Sequence, residues 1–449
     1  MKFIDLNSKG GIGANSIYLE IGPFSLVIDS GMHPKLTGRD ALPAFDKIPA
    51  QHLDAIILTH CHLDHLGALP LLARQFPNTP IITSVPSALL APRMLHNSVS
   101  IMTLQREELG LKEYPLYTRS EIEALSQRIL ETPYKKTRHL ESGSEELSIT
   151  LYPAGHIAGA ASVLLEYKHR KIFITGDISF SEQWTISGAS LPEGSIDTLI
   201  TETTRGQTQR DASRAEEAER LLMSINDSIE SGGSVLIPVF ALGRMQEMLM
   251  LFANARRENN LLDAPIFCSG LGVDLADYFD ELHRRTGLVR FSRKLVKDLR
   301  ARGLPEYISP HTGGVKQKGI YLISSGMVVE KTPSYGIAAS LFPDPSSAIL
   351  FVGYCDSDTP GGEIISMKHG ERYLFDALDY EAELKARVEC FDLSGHADRE
   401  DLIKMARDFS PRTIVLTHGD PGARVYFKDK LNEVSKNILD PVPGETYEV

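Results

Sequence analysis

Several short apolar runs along the chain share one form. Each run is rich in β-branched residues, is nearly continuous in hydrophobicity, and leads into a carboxylate or a histidine. The runs span residues 24–31, 55–60, 171–177, 197–203 and 412–420. Runs of this kind are typical of strands that are buried on both faces of a sheet. We therefore predict five buried strands with polar side chains at their ends.

The polar ends of these strands predict a shared site. Open α/β sheets bind their ligands at the carboxyl ends of strands, so side chains from distant parts of a chain meet there. Strands that simply run out into polar loops would explain one or two such endings, but not five. We expect these side chains to converge.

The middle of the chain follows a different pattern, in which helices and strands alternate. Glycines close an amphipathic helix at 211–233, and a strand at 234–240 follows it. Further helices are predicted at 242–257 and 273–285, and further strands at 319–327 and 348–354. The last buried strand then returns to the earlier form. The pattern predicts a first domain in two parts, 1–207 and 385–449, with an inserted α/β domain at 208–384.

The composition of the 449-residue chain fits this organisation. It is 42% hydrophobic and 24% charged, as in globular proteins, and it is long enough for two domains. The amino terminus lacks the apolar segment of a signal peptide, and no apolar run is long enough to cross a membrane. The four cysteines show no CxxC spacing, which fits a reducing compartment. We predict a cytoplasmic protein without a membrane partner.

The charge balance restricts the binding of nucleic acid. With 47 basic and 59 acidic residues the net charge is −12, which argues against a chain that coats nucleic acid through bulk charge. A local cleft could still be positive, especially if it held divalent cations. The basic stretch from His283 to Gly303 is interpreted as a solvated helix face in preference to a nucleic-acid patch.

The sequence "LTHCHLDHLG", from Leu58 to Gly67, has the residue types of a metal site. The spacing of His60 and His62 points both rings from an extended backbone toward a single ion. Asp64 and His65 fall at the start of the following helix, where they can serve a neighbouring ion. Four such residues within six positions are hard to explain as ordinary core residues.

Two metal sites need more ligands than this stretch supplies. His156, Asp177 and His418 follow other predicted strands and can complete the coordination. A carboxylate such as Asp177 can bridge two cations about 3.5 to 4 Å apart. Imidazole and carboxylate ligands without thiolate favour two Zn²⁺ ions, with Mn²⁺ or Fe²⁺ as alternatives.

Eight short motifs resemble those of a known family. "HCHLDH", together with "DSG", "AGHIAGA" and "TGD", resembles the metallo-β-lactamase fold, an αββα sandwich of two mixed sheets between helices. "TETT" around Glu202, "IPVFALGRMQE" at 237–247, "DLSGHAD" around His396 and "THGD" around His418 resemble its β-CASP branch. This branch contains RNA-processing nucleases related to the cleavage and polyadenylation endonuclease. The resemblance covers nearly the whole chain and implies an α/β sandwich with an inserted β-CASP domain.

The resemblance also implies a ligand set. One metal would be held by His60, His62 and His156, a second by Asp64, His65 and His418, and Asp177 would bridge them. Asp29 would orient the ligands from behind, as metal sites generally require.

The catalytic roles implied by the resemblance centre on His396. Supported by Glu202, it would act as general acid on the leaving oxygen. The attacking group would be a two-metal-activated hydroxide, and Asp64 and Asp177 would belong to the catalytic group through the metals. The residues themselves predict that Asp398 caps the helix after His396, which places His396 on a positioned loop.

A histidine at the last motif, here His418, implies RNA as the substrate rather than DNA. We expect single-stranded RNA to follow the cleft between the two domains and to contact Arg244 and Ser325. The metals and the basic helix near Arg285 could supply further positive charge. The choice between endonuclease and exonuclease action stays open, as does a homodimer. The sequence departs from the family pattern near Thr204, Val328 and Asp356, in segments expected to line the substrate cleft.

Four alternative functions could use this fold. A DNA nuclease or a hydrolase of small esters or thioesters could use the same metal site, although small-ester hydrolases rarely carry the inserted domain. A redox di-iron protein would have a glutamate where this chain has His62. An RNA-binding scaffold with weak or no catalysis would have a degenerate site, whereas all expected ligands are present here.

Overall fold

The computed structural model describes residues 1–304 and 308–449, and the chain divides into two compact units. Unit 1 contains Met1–Glu182, Ser187–Gln209 and His396–Val449, and unit 2 contains Gln183–Ile186 and Arg210–Gly395. Among the described residues, none of the helices combines the length and the apolar character needed to cross a bilayer.

The first part of the chain builds most of unit 1. Its elements are β1 (Lys2–Asp5), β2 (Ile17–Ile21), β3 (Phe24–Ile28), β4 (Ala55–Leu58), α1 (Leu63–Leu66), α2 (Leu69–Gln75), β5 (Ile81–Ser84), α3 (Val85–Leu109), α4 (Arg119–Ser126), β6 (Ile129–Thr132), β7 (Thr137–Ser142), β8 (Glu145–Pro153), β9 (Ala161–Tyr167), β10 (Arg170–Ile174) and β11 (Thr198–Glu202). Short 3₁₀ helices cover Gly38–Ala41 and Phe45–Lys47.

Unit 2 and the return to unit 1 follow. The elements of unit 2 are α5 (Arg214–Glu230), β12 (Val235–Pro238), α6 (Arg244–Arg257), β13 (Ile266–Cys268), α7 (Gly270–Thr286), α8 (Arg293–Asp298), β14 (Arg302–Gly303), β15 (Ile320–Ile323), α9 (Pro333–Leu341), β16 (Ala348–Phe351), α10 (Pro360–Ser366), β17 (Arg372–Phe375), β18 (Tyr380–Glu383) and β19 (Arg387–Cys390), with 3₁₀ helices at Pro310–Thr312 and Asp376–Leu378. Unit 1 is completed by α11 (Arg399–Phe409), β20 (Thr413–Thr417), α12 (Pro421–Leu431), β21 (Asn437–Leu439) and β22 (Thr446–Glu448).

Two seven-stranded mixed sheets enclose the core of unit 1. Their strand orders are β22-β1-β2-β3-β4-β5-β6 and β21-β20-β11-β10-β9-β8-β7. The core between them contains buried side chains of both sheets, among them Leu26 and Ile57 of the first and Ile149 and Val163 of the second. Burial of these aliphatic side chains removes apolar surface from water and holds the two sheets together.

The five strands predicted from the apolar runs are confirmed as β3, β4, β10, β11 and β20, all somewhat shorter than the runs. Strands β3 and β4 are parallel neighbours in one sheet, and β10, β11 and β20 are parallel neighbours in the other. Their carboxyl ends therefore lie together within each sheet, which brings the polar residues that follow them to common edges.

Unit 2 is built on a parallel sheet of its own. Its six strands have the order β14-β13-β15-β12-β16-β19, and every neighbouring pair is parallel. The aromatic rings of Phe267 and Tyr321 stack in its core with their centroids 4.8 Å apart. The helix predicted at 211–233 is confirmed as α5, which begins after a capping box formed by Ser213 and Glu216.

Candidate metal centre

Four side chains of unit 1 form the first group of candidate ligands. His60, His62, His156 and Asp177 each offer an atom, and these atoms all lie within 4.8 Å of one another. Nε2 of His156 is 3.1 Å from Nδ1 of His62, and Nε2 of His60 is 3.5 Å from Oδ2 of Asp177. The spacing in "HCH" and the loop after β8 therefore bring three imidazoles and one carboxylate to one point.

A second group lies beside the first. Its members are Asp64, His65 and His418, whose ligand atoms also lie within 4.8 Å of one another. Nε2 of His418 is 3.3 Å from Oδ2 of Asp64, and Nε2 of His65 is 3.8 Å from the same oxygen. Asp64 and His65 belong to the short helix α1, which ends before α2 begins, rather than to one continuous helix as the sequence suggested.

Asp177 lies between the two groups. Its Oδ2 is 3.6 Å from Nε2 of His156 in the first group and 3.4 Å from Nε2 of His65 in the second. Asp177 also falls within 4.8 Å of Glu202 and His418 in a third combination of possible ligands. The carboxylate of Glu202, however, already accepts hydrogen bonds from His396 and from the backbone N–H of Ile178.

The donor set fits divalent cations such as Zn²⁺. Nε2 of His60 and Oδ1 of Asp177 are buried and make no hydrogen bond with any described residue, although Nδ1 of His418 lies 3.2 Å from that oxygen. Burial in this state is costly for polar atoms unless something else satisfies them. Imidazole and carboxylate are the ligands that zinc accepts in hydrolytic sites. A cation at this position would supply the missing partner for both atoms.

The pKa values of the clustered groups favour ligation. Burial lowers the pKa of His60 well below its usual range, and neighbouring His65 lowers it further, so the ring is neutral near pH 7. Burial alone would raise the pKa of Asp64 and Asp177, but the surrounding histidines outweigh it and lower both values. A neutral imidazole and ionised carboxylates are the forms that bind metals.

For His65 the balance runs the other way. Burial lowers its pKa, but Asp177, Asp29 and Asp64 outweigh that effect and raise it well above the usual range. Three carboxylates around one ring thus favour a positive charge at this position. A metal cation is one way to supply that charge.

Asp29 lies behind the ligands and accepts three hydrogen bonds. Its Oδ2 is 2.7 Å from Nδ1 of His65, and its two oxygens accept from the N–H and the hydroxyl of Thr59, each at 2.7 Å. The Thr59 hydroxyl also lies 3.1 Å from Nδ1 of His60. One carboxylate therefore fixes the rings of two candidate ligands.

The backbone around these residues is under unusual constraint. Asp29 and His418 have φ values of 61° and 42°, in the left-handed region that non-glycine residues rarely adopt. A Cβ atom at Gly31 would come within 1.6 Å of the carbonyl oxygen of Asp64, so only glycine fits there. Arg424 donates from Nε to the carbonyl of Gly419 at 2.9 Å and so holds the turn that carries His418. Strain of this kind is often found at functional sites.

His396 stands at the edge of the first ligand group. Its Nδ1 is 3.0 Å from Oε2 of Glu202, and its ring centroid is 4.4 Å from that of His156. Burial lowers the pKa of His396, but the carboxylate of Glu202 outweighs it and raises the pKa. The predicted cap is confirmed, since the Asp398 side chain accepts from the N–H of Glu400 at the start of α11.

Three domain families match the chain in agreement with this geometry. The metallo-beta-lactamase superfamily matches residues 10–227, the Beta-Casp domain matches 245–364, and the Zn-dependent metallo-hydrolase RNA specificity domain matches 381–440. The chain belongs to the β-CASP branch of the metallo-β-lactamase superfamily. This confirms the predicted α/β fold class, a metallo-β-lactamase sandwich with an inserted β-CASP domain, and the predicted class of enzyme, a β-CASP metallo-hydrolase.

The similarity of this β-CASP protein to its relatives extends over almost its whole length. Integrator complex subunit 11 of Danio rerio is 28% identical over 99% of the chain and 74% of that protein. Cleavage and polyadenylation specificity factor 73 of Drosophila melanogaster is 28% identical over 91% of the chain and 58% of that protein. A crystal structure of a protein of unknown function from Enterococcus faecalis V583 has the same fold, with a TM-score of 0.55, 15% identity and 99% of each chain covered.

Two further residues of the β-CASP chain, Arg244 and Ser325, are predicted RNA contacts. Arg244 is buried at the start of α6, where its Nη2 donates to the side chain of Gln183 at 3.3 Å. Ser325 follows β15, and its hydroxyl accepts from the N–H of Val329 at 3.0 Å. Both lie in unit 2 and their contact with RNA stays a prediction, which the burial of Arg244 does not favour.

The sequence did not point to three polar residues that touch the candidate ligands. They are Thr59, Asn15, whose Nδ2 is 3.0 Å from Nε2 of His65, and Thr204, whose hydroxyl is 3.0 Å from Nδ1 of His418. Thr59 lies within "LTHCHLDHLG" and Thr204 ends "TETT", so their positions carried a signal. Cys61, in contrast, turns away, because its buried thiol donates to the carbonyl of Ser87 and burial raises its pKa to about 12.

Proposed function

We propose that this β-CASP protein is a metal-dependent ribonuclease that hydrolyses RNA phosphodiester bonds. The observation that carries the proposal is the pairing of His396 with Glu202 beside two adjoining groups of metal-ligand side chains. A phosphodiester needs a proton donor for its leaving oxygen in addition to an activated water, and this arrangement offers a candidate for each role.

The two ligand groups would hold two divalent cations, with Zn²⁺ favoured and Mn²⁺ or Fe²⁺ as alternatives. His60, His62 and His156 would hold one, Asp64, His65 and His418 the other, and Asp177 would be shared. When bound, such a pair of cations makes water more acidic and neutralises negative charge on the phosphate. Asp29 and Thr59 keep the rings of His65 and His60 in place through hydrogen bonds of 2.7 and 3.1 Å.

His396 would supply the proton. The Glu202 carboxylate raises the pKa of His396, which keeps the ring protonated at higher pH than an unpaired histidine. The contact between Nδ1 and Glu202 leaves Nε2 as the nitrogen that can donate to a leaving oxygen. Glu202 is itself held by the N–H of Ile178 at 2.7 Å, so the pair is oriented from both sides.

RNA is the substrate favoured by the comparisons. The carboxyl-terminal part of the chain matches an RNA specificity domain, and a relative is named as a cleavage and polyadenylation factor. His418 stands at the motif position that implied RNA in the sequence. Endonuclease or exonuclease action, a cytoplasmic location and a homodimer stay predictions.

A cleavage assay with matched variants tests the proposal. Purified protein is incubated with end-labelled single-stranded RNA and with DNA of the same sequence, with and without a chelator. We expect cleavage of RNA that the chelator and His60→Ala abolish and that His139→Ala leaves unchanged, because His139 is a surface residue paired with Glu146. Failure to cut RNA, with hydrolysis of DNA or of a thioester instead, would refute the proposal.

A further inference from the structure

A groove in unit 2 carries a concentration of positive charge, and none of the candidate metal ligands lines it. It lies between α7, α8 and β14, has a volume of about 350 Å³, and contains none of the residues assigned to the metal centre. Ligand pockets in proteins typically measure about 300 to 1,000 Å³, so the groove is large enough to hold part of a ligand.

Four cations line this groove, and most of them lack an acidic partner. They are Arg293, Lys297, Arg300 and Arg302. Arg293 pairs with Asp277, with Nη1 and Oδ1 2.7 Å apart. In the part of the chain that the structure describes, the other three cations form no ion pair, and all three are exposed.

The backbone brings these three cations together within a short stretch. Lys297 lies in the last turn of α8, and Arg302 begins the edge strand β14. Arg300 connects them with a φ of 52°, and its N–H donates to the carbonyl of Lys297 at 2.9 Å. The tight turn from helix to strand therefore sets three positive side chains along one wall.

The surrounding sequence reverses the charge of the rest of the chain. Residues 283–303 contain eight arginines and lysines and one acidic residue, Asp298, in a chain with a net charge of −12. Part of this charge is balanced by α7, because Arg284 pairs with Asp280 and Arg285 with Glu281. The charge on the wall of the groove is not balanced in this way, so it is available to an anionic ligand.

The groove also offers apolar surface. Val273 of α7 and Val296 of α8 line it together with the cations, while Asp274 and Asp277 line the α7 side. Proteins that bind single strands combine cations that follow the backbone with aromatic side chains on which bases stack. In this groove the two valines offer apolar contact in place of rings. The two carboxylates on one side would keep the phosphates on the side of Lys297 and Arg302.

We propose that this groove binds the phosphates of single-stranded RNA through Lys297, Arg300 and Arg302. The proposal rests on the proposed function, because it takes RNA as the substrate. It also revises the interpretation of residues 283–303 as only a solvated helix face. An acidic protein segment is the competing occupant. RNA is favoured because valines between cations and carboxylates suit a nucleotide, which has both an apolar base and a phosphate.

The test measures RNA binding as salt is raised. A fluorescent 20-nucleotide single strand is titrated with the full chain in chelator, so that no cleavage occurs, between 50 and 200 mM salt. Removal of three phosphate contacts reduces the slope of log affinity against log salt by about 2. Over this fourfold range the affinity of the native chain then falls about 18-fold more than that of the variant.

Three variants make the result specific. Lys297→Gln, Arg300→Gln and Arg302→Gln together are expected to weaken binding and flatten the slope. The charge-preserving triple change Lys297→Arg, Arg300→Lys and Arg302→Lys is expected to bind as the native chain does. The matched control removes three exposed cations of unit 1, with the changes Lys112→Gln, Lys136→Gln and Lys436→Gln.

The outcomes separate the groove from the catalytic proposal. Unchanged binding by the glutamine triple variant would overturn the groove as an RNA site, even if the chain cuts RNA. Displacement of RNA by polyglutamate at equal charge concentration would also overturn it, in favour of an acidic protein partner. Binding that depends on the three cations, in a chain that cuts no RNA, would support the groove and refute the nuclease.

Discussion

Replacement of Asp29 by asparagine tests how the ligands are held. The carboxylate of Asp29 accepts hydrogen bonds from Nδ1 of His65 and from the N–H and hydroxyl of Thr59, all at 2.7 Å. Asparagine has the same shape and tolerates the left-handed backbone at φ 61°, so the main chain is not disturbed. One of its two terminal atoms is, however, a donor, and the partners of the Asp29 carboxylate named above all donate to it.

The size of the effect follows from this mismatch. Whichever way the amide turns, a donor faces either Thr59 N–H or the ring of His65. Leaving a buried donor without an acceptor costs about 1 to 3 kcal/mol. Loss of a partner that orients a metal ligand typically lowers metal affinity about 10- to 100-fold, which corresponds to about 1.4 to 2.7 kcal/mol. The cost of the unpaired donor and the expected loss of metal affinity are therefore similar in size. We expect metal affinity to decrease because Asp29 holds the ring of His65, a candidate ligand.

Competition with a coloured chelator measures this affinity, and elemental analysis counts the ions per chain. Asp29→Asn is expected to lower the affinity of the chain for its more weakly bound ion about 10- to 100-fold at neutral pH. Asp46→Asn, on an exposed 3₁₀ helix, serves as the control. Asp29→Asn with two ions at native affinity would refute the role given to Asp29.

Three further predictions concern stability and reactivity. Metal at about 100 times its dissociation constant should stabilise the native chain by about 2.7 kcal/mol. A chelator should therefore lower the thermal midpoint of the native chain. It should lower the thermal midpoint of Asp64→Ala less, because this variant already lacks a metal ligand. Burial raises the pKa of Asp5 from 3.8 to about 6, so the folded state binds more protons than the unfolded state and stability falls as pH rises from about 4 to about 6. This decrease in the free energy of unfolding amounts to about 3 kcal/mol, and it should be absent in Asp5→Asn. Thermal midpoints measured between about pH 4 and about pH 6 test the difference. Iodoacetamide at neutral pH should modify exposed Cys390 before buried Cys61 or Cys268, and mass spectrometry can follow the order of modification. Modification of Cys61 before Cys390 would contradict the burial of the Cys61 thiol.

The strand ends could be predicted from the sequence because burial and chemistry leave separate signals there. Apolar runs identified β3, β4, β10, β11 and β20, and the polar residue after each run identified the edge where ligands meet. His60, His62, Asp64 and His65 are local in sequence. The convergence of His156, Asp177 and His418 on them followed from the rule for parallel strands and from the resemblance.

The supporting contacts could not be predicted, because they depend on three-dimensional packing. Nothing in the spacing of "GGIGAN" indicates that Asn15 reaches the ring of His65. Likewise, Gln183–Ile186 joins unit 2 because Glu247 accepts from the N–H groups of Trp184 and Thr185 at 2.9 and 2.6 Å. Arg290 adds to these contacts by donating to the carbonyl of Ile186 at 2.7 Å, and hydrophobic patterning does not register polar contacts of this kind.

The most direct test of the account replaces the leaving oxygen of RNA by sulfur. A thiolate leaves without a proton. Two substrates carry sulfur at the 3′ or at the 5′ bridging position, and His396→Asn should cut the one whose sulfur is the leaving atom nearly as fast as the native chain does. On ordinary RNA the same variant, with its metal content confirmed as unchanged, should be slower by about 10²- to 10⁴-fold. Equal slowing on ordinary RNA and on that sulfur substrate, or no slowing on either, would contradict His396 as the general acid of a metal-dependent ribonuclease.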